Sequence, residues 1–322
     1  MRIVITGSAG FIGTRLAKRL LRRDDVERLV LFDVRTLDDA LAADARVEQT
    51  EGDIADPAAV ARAIAPGTDS VFHFSAVVSA GAEADFDLGM RVNLDGTWRV
   101  LEACRRLPNQ PRLIFASSEA VYGARTGPVI DDDTPLYPQT SYGAHKACSE
   151  LLVSDYSRKG FLDGRSLRFP TVVVRPEPNL AASTFTSSIV REPLAGRDVV
   201  CPVSPQSRMT IMSVRRLLEC IERAHDLPPA AFGAERALLL PALGVTVADI
   251  VEGVRRAGGE AAAERIHFEP DPAIQRIVDT WPRDVKAARA EALGLLPERS
   301  VDEIIATFVE DDLTAGGRAF RS

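Results

Sequence analysis

Over residues 1–175 the chain alternates short apolar runs with longer segments whose apolar residues recur every three or four positions. The run Ile3-Val4-Ile5 reads as a strand over residues 2–6. Residues 11–23 read as a helix with Phe11, Leu16, Leu20 and Leu21 on or near one face. Further strands are predicted at 28–32, 45–50, 70–74 and 112–116, with a sixth extended segment at 167–175. Pro57 opens a helix with Asp56 as its N-cap, and long helices are predicted over 86–106 and 141–158. Strand and helix in strict alternation predict an α/β fold, a doubly wound parallel sheet covered on both faces. The near-continuous apolar strands fit burial on both sides. After Arg175 prolines interrupt the pattern, including Pro176, Pro178, Pro193, Pro202, Pro205 and Pro241. Strands remain plausible there at 199–203, 208–212, 237–240 and 265–268, and helices at 214–225, 247–257 and 300–308. This predicts a smaller C-terminal α/β domain. The division is expected at 1–175 and 176–322, with a segment near 208–226 returning to the first domain and a frayed tail from Gly316-Gly317.

Chemistry enters at the end of the first strand. Gly7, Gly10 and Gly13 stand at G-x-x-G-x-x-G spacing between a strand and a helix, in Gly7-Ser8-Ala9-Gly10-Phe11-Ile12-Gly13. Glycines there allow a tight turn and let a pyrophosphate approach the backbone, while the helix start offers N–H groups and partial positive charge. Asp33 ends the second strand twenty residues after Gly13, where a carboxylate binds the adenosine ribose hydroxyls and repels a 2′-phosphate. The pattern therefore predicts a Rossmann sheet that takes NAD rather than NADP. The competing reading is a plain turn and a solvated Asp33. Asp53 and Ile54 follow the third strand, where an adenine contact competes with a turn or helix-entry role. Phe74, Ser75 and Ala76 close the fourth strand, where the cofactor must pass close.

A second cluster lies on the helix 141–158. Tyr142 and Lys146 are four residues apart and share one face. A phenol titrates near ~10, and a neighbouring ammonium favours the phenolate, so such a tyrosine can act as a general base. Ser118 follows the fifth strand and can hydrogen-bond the reacting oxygen.

With these residues in view the chain resembles the extended short-chain dehydrogenase/reductases, the NAD-dependent epimerase/dehydratase family. The resemblance runs from Thr6-Gly7 to Asp284-Val285-Lys286-Ala287 and Leu293-Gly294. It implies a catalytic set of Ser118, Tyr142 and Lys146, with Tyr142 and Lys146 also at the nicotinamide ribose. It adds Asn93, Pro170 and Val172 to the cofactor residues, and implies a homodimer formed through the long helices. Stretches such as Glu83-Ala84-Asp85-Phe86-Asp87-Leu88-Gly89 and Pro138-Gln139-Thr140-Ser141-Tyr142-Gly143 are similar to a subgroup that oxidises small sugar acids at C2. Arg208 matches the position of an anion-binding arginine in related enzymes, suited to a substrate carboxylate; the alternative is a surface arginine. Ser79, Thr171 and Glu119 join Ser118 and Tyr142 as substrate-binding candidates, and Trp281, Glu83 and Asn179 are further pocket candidates. Arg175 reads as structural, His145 as facing away from Tyr142, and Asp131-Asp132-Asp133 as a solvated loop with no metal.

Composition trims the alternatives. The 322 residues carry 39 basic and 46 acidic side chains, a net charge of -7, which argues against nucleic acid and anionic membranes as partners. Only Lys18, Lys146, Lys159 and Lys286 are lysines. Cys104, Cys148, Cys201 and Cys220 form no C-x-x-C pair and read as buried thiols of a cytoplasmic protein. Neither a signal peptide nor a membrane span is expected. Three functions stay open: a dehydrogenase of a small sugar acid, a nucleotide-sugar 4-epimerase or dehydratase, and an NAD-sensing protein without catalysis.

Overall fold

The computed structural model describes residues 1–36, 39–123, 127–177 and 183–314; Asn179 and the Gly316-Gly317 tail lie outside the described residues. Two compact units form. One comprises Met1–Val121, Pro138–Arg168 and Ile221–Leu238; the other comprises Tyr122–Tyr137, Phe169–Cys220 and Leu239–Ser322.

The first unit is built on β1 (Arg2–Thr6), β2 (Arg28–Asp33), β3 (Val47–Glu51), β4 (Ser70–His73), β5 (Arg112–Ser118), β6 (Asp163–Phe169) and β7 (Ala237–Leu239). They form one sheet in the order β7-β6-β5-β4-β1-β2-β3. β1 pairs in parallel with β2 and β4, setting Val4 against Val30 and Val71. All three valines are buried, as a sheet covered on both faces requires. β3, with the polar sequence VEQTE, takes the edge, where one side stays wet. The strand order reverses between β1 and β4, so the crevice beyond their carboxyl ends is the place where such sheets take ligands.

Three expectations shift. The long helix expected over 86–106 is continuous from Phe86 to Arg105 but contains a widened π turn at Met90–Asp95. The segment expected as one strand over 167–175 is split. β6 ends at Phe169, and Thr171–Val173 pairs with Arg208–Ser213 in a different, three-stranded sheet. Pro170 between them has no N–H to extend a ladder. The chain accordingly passes to the second unit after Arg168, having already lent it Tyr122–Tyr137, and the segment that rejoins the first unit is Ile221–Leu238.

In the second unit the three-stranded sheet is completed by Leu243–Thr246 against Arg208–Ser213. Its core gathers Phe185, Ile189, Ile211, Val245, Ile250, Val254, Ile304 and Phe308. The helix Val247–Gly258 starts at a reciprocal cap, Thr246 with Asp249. The helix Thr184–Leu194 was not anticipated, because Pro193 reads as a breaker. Pro193 sits in the last turn, where it costs one helical bond rather than a run of them. Cys104, Cys201 and Cys220 are buried, and burial pushes the Cys104 thiol up to about 12. Cys148 is exposed, contrary to the expectation of buried thiols throughout. Among the described residues no helix is long and apolar enough to cross a membrane.

Candidate active site

The loop after β1 is shaped by absent side chains. Gly7 has φ +71, and a Cβ on it would lie 2.6 Å from the Ser75 backbone nitrogen. A Cβ on Gly13 would lie 2.3 Å from the Gly7 carbonyl oxygen. Both distances are far inside contact, so only glycine lets the loop, the helix Phe11–Leu20 and the Phe74-Ser75 segment come together. Gly10 precedes that helix with no side-chain cap, which leaves the N-terminus to other acceptors. Asp33 closes the loop from the side: its carboxylate accepts from Ala9 N at 3.0 Å and from Arg35 N at 3.1 Å. Arg35 donates to the Ala9 carbonyl at 2.7 Å. Gly7, Ala9, Gly10, Phe11, Ile12, Gly13 and Asp33 thus form a backbone cradle with one carboxylate at its rim. That donor set fits a dinucleotide's pyrophosphate and ribose.

A hydrogen-bonded chain behind the cradle fixes the next segment. The Thr6 hydroxyl lies 2.6 Å from His73 Nδ1, and His73 Nε2 lies 3.0 Å from the Thr97 hydroxyl. Thr97 donates its own proton to the Asn93 carbonyl at 2.6 Å, so it accepts from Nε2–H. Full burial pushes the imidazole down to about 3, so the ring is neutral and Nδ1 is left as an acceptor. Asn93 stands on the π turn and uses both ends of its amide on Val77, donating to its carbonyl at 3.0 Å and accepting from its N–H at 2.8 Å. Its work is on the irregular segment that continues from Phe74, Ser75 and Ala76 to the helix Ser79–Ala84. Asp53 accepts from Ala55 N at 2.9 Å and pairs with Arg91, holding its own turn. Ile54 is buried against Gly96.

The third component is the helix Ser141–Arg158. Thr140 caps it, accepting from Gly143 N at 3.1 Å, and the Glu83 carboxylate accepts from Ser141 N. A Cβ on Gly143 would lie 2.1 Å from the Ala120 carbonyl oxygen. Glycine therefore lets the helix start rest directly on the short turn Glu119–Val121 that follows Ser118. This brings Ser118 and Tyr142 onto adjoining segments. The Ser118 hydroxyl accepts from Ala120 N at 3.1 Å, and Glu119 is buried beside it. Lys146 is buried; its Nζ donates to the Ala116 carbonyl at 2.6 Å and lies 5.5 Å from the centre of the Tyr142 ring. Burial pushes the ammonium down to about 7, against the opposite pull of the Glu150 carboxylate. Next to it, His145 is buried against Phe86 and Gly89 and held neutral by burial.

Other candidates are distributed as follows. Ser79 opens the helix Ser79–Ala84 in the first unit. Pro170, Thr171, Val172 and Arg208 belong to the second. Val172 is buried, whereas Arg208 is exposed at the start of its strand, opposite Thr246. Trp281 stacks on Phe185 at 6.4 Å between ring centres, a packing role. Arg175 is tied down through its backbone, to Ser187 and Arg191. Asp131 accepts from Thr134 three residues on, and Asp132 accepts from the distant Arg289 N, so the loop is ordered by one local and one long-range bond. Sequence reasoning missed His73 and Glu150, and it offered Glu83 as a pocket residue rather than as the acceptor at the start of the helix Ser141–Arg158. Glu150 had a signal, since it is four residues beyond Lys146.

The cradle at the sheet's switch point, with a tyrosine and a lysine one helical turn apart nearby, defines a class, and comparison with known proteins agrees. The chain belongs to the NAD dependent epimerase/dehydratase family, whose model matches residues 3–230. It is 48% identical to a D-erythronate dehydrogenase of Cupriavidus necator over 97% of this chain and 98% of that one. It is 41% identical to a D-erythronate dehydrogenase of Haemophilus influenzae over 97% of this chain and 100% of the relative. A solved structure described as a nucleoside-diphosphate-sugar epimerase from Agrobacterium tumefaciens superimposes with a TM-score of 0.93. It is 38% identical and covers 98% of this chain and 95% of its own.

Proposed function

We propose that this chain is an NAD-dependent dehydrogenase that oxidises D-erythronate, or a closely related aldonate, at C2 to the 2-oxo acid. The observation that carries the reading is the full-length similarity to two D-erythronate dehydrogenases, supported by Lys146 standing 5.5 Å from the Tyr142 ring. Bound at the cradle, NAD supplies the acceptor for the C2 hydride. The glycine loop and the helix start hold its pyrophosphate, and Asp33 its adenosine ribose. Tyr142 takes the C2 hydroxyl proton, Lys146 stabilises the phenolate by its charge, and Ser118 orients the hydroxyl. Arg208 pairs with the substrate carboxylate. Ser79, Glu119 and Thr171 complete the substrate set.

The test is NADH absorbance with purified protein on erythronate, threonate and related aldonates, with Arg208→Ala in parallel. We expect reduction of NAD with at least one aldonate and a raised KM in the variant. No turnover with any of them overturns the reading. The similarity to the Agrobacterium epimerase keeps a second one open, a nucleotide-sugar 4-epimerase. Tight UDP binding and interconversion of UDP-sugars without net NADH would favour it. We also propose a homodimer through the long helices, where Phe86, Trp98 and Leu151 are exposed. Sedimentation at micromolar concentration tests it.

A further inference from the structure

Tyr142, Lys146 and Glu150 stand at four-residue intervals on one helix, so their side chains rise along a single face. Glu150 is buried and fully engaged. Ser117 donates to its Oε1 at 2.5 Å, and Arg168 from β6 donates through Nε at 3.0 Å and Nη2 at 2.7 Å. A buried guanidinium–carboxylate pair is weak evidence for stability alone, because desolvation offsets much of its attraction. Its location is informative. One flank, Ser117, is the residue before Ser118; the other face is one turn from Lys146.

We infer that Glu150, clamped by Arg168 and Ser117, is the positioning residue that keeps Lys146 charged and aimed at Tyr142. The inference rests on the proton-transfer reading above. The groups around Lys146 come from three strands and its own helix. β5 contributes the Ala116 carbonyl, the Phe115 ring at 4.7 Å and Ser117. β4 contributes neutral His73 behind that ring, at 5.8 Å from it. β6 contributes Arg168, whose guanidinium is paired with Glu150. The helix contributes Tyr142, neutral His145 and Glu150. In this set the carboxylate acting on Lys146 is Glu150. Without its field the buried amine sheds its proton, and an uncharged lysine no longer favours the Tyr142 phenolate.

The experiment is a pH–rate profile of the full chain. Glu150→Gln alone strands the Arg168 charge, so the main variant is Glu150→Gln with Arg168→Met, which removes both charges together. We expect kcat at pH 7 to fall about tenfold or more and the acid limb to move up by about one pH unit. KM for NAD and substrate should change less than about twofold. Glu150→Asp, which keeps a carboxylate, should restore most of the rate at pH 7. Should the double variant fail to fold, Ser117→Ala loosens the clamp with all charges kept and should move the limb the same way by less. A lowered melting temperature with an unchanged profile and kcat would overturn the inference, leaving Glu150 a purely structural residue. Full activity in Tyr142→Phe would instead sink the proton-transfer reading, so the two failures are separable.

Discussion

The glycine loop and the lysine helix lie in the same unit but are made in opposite ways. The loop is organised by missing atoms: Gly7 and Gly13 permit approaches that any Cβ would block. The helix is organised by buried charge: Lys146, Glu150 and Arg168 are each less than a tenth exposed. A region defined by shape is indifferent to pH and intolerant of added volume. A region defined by charge is the reverse. The contrast teaches where each kind of perturbation should act.

Gly13→Val places a branched Cβ 2.3 Å from the Gly7 carbonyl oxygen. We expect loss of measurable NAD binding by calorimetry and destabilisation above about 4 kcal/mol in denaturant titration. A variant that binds NAD normally would break the claim that shape governs the loop. Tyr142→Phe should cut kcat by about a thousandfold in the NADH assay and leave the melting temperature within a few degrees. Acid stability tests a titratable group buried behind the loop. His73 has its folded value near 3 against an ordinary imidazole value of 6.5, so the unfolded chain binds the extra proton between them. Stability from the neutral ring is therefore whole above 6.5 and lost as pH falls toward 3, by a few kcal/mol in all. His73→Asn should flatten the pH dependence of the urea midpoint over that window. The smallest effect is expected at Asp33→Ala, which should raise the KM for NAD by about tenfold and admit NADP, sharpening the role of the carboxylate at the loop's rim.

What the sequence made legible follows from range. The glycine spacing, Asp33 and the Tyr142–Lys146 interval are contained within about twenty residues each, so they could be read before any packing was known. The doubly wound sheet was legible for the same reason, each apolar strand announcing its own burial. His73 was not, because its meaning depends on Thr6 and Thr97, distant partners that only the sheet brings beside it. Arg168 looked like one more arginine among many until β6 carried it to Glu150. The break at Pro170 was hidden by the apolar residues on either side, which suit strands in either of two sheets. The unit to which Ile221–Leu238 belongs depends on pairings such as Arg19 with Glu222 and Ser70 with His225, and no local pattern encodes those.

The helix Ser141–Arg158 can also be seen as a mechanical part. It is pinned at its first residues by Thr140, Glu83 and the contact under Gly143, and again at Glu150 by Arg168 and Ser117. At 1.5 Å per residue the pins are about 14 Å apart. Tyr142 and Lys146 both fall on the span between them. A rod held at two points moves least in that interval, so thermal bending is displaced toward the far turns, away from the two side chains on which a proton's path depends.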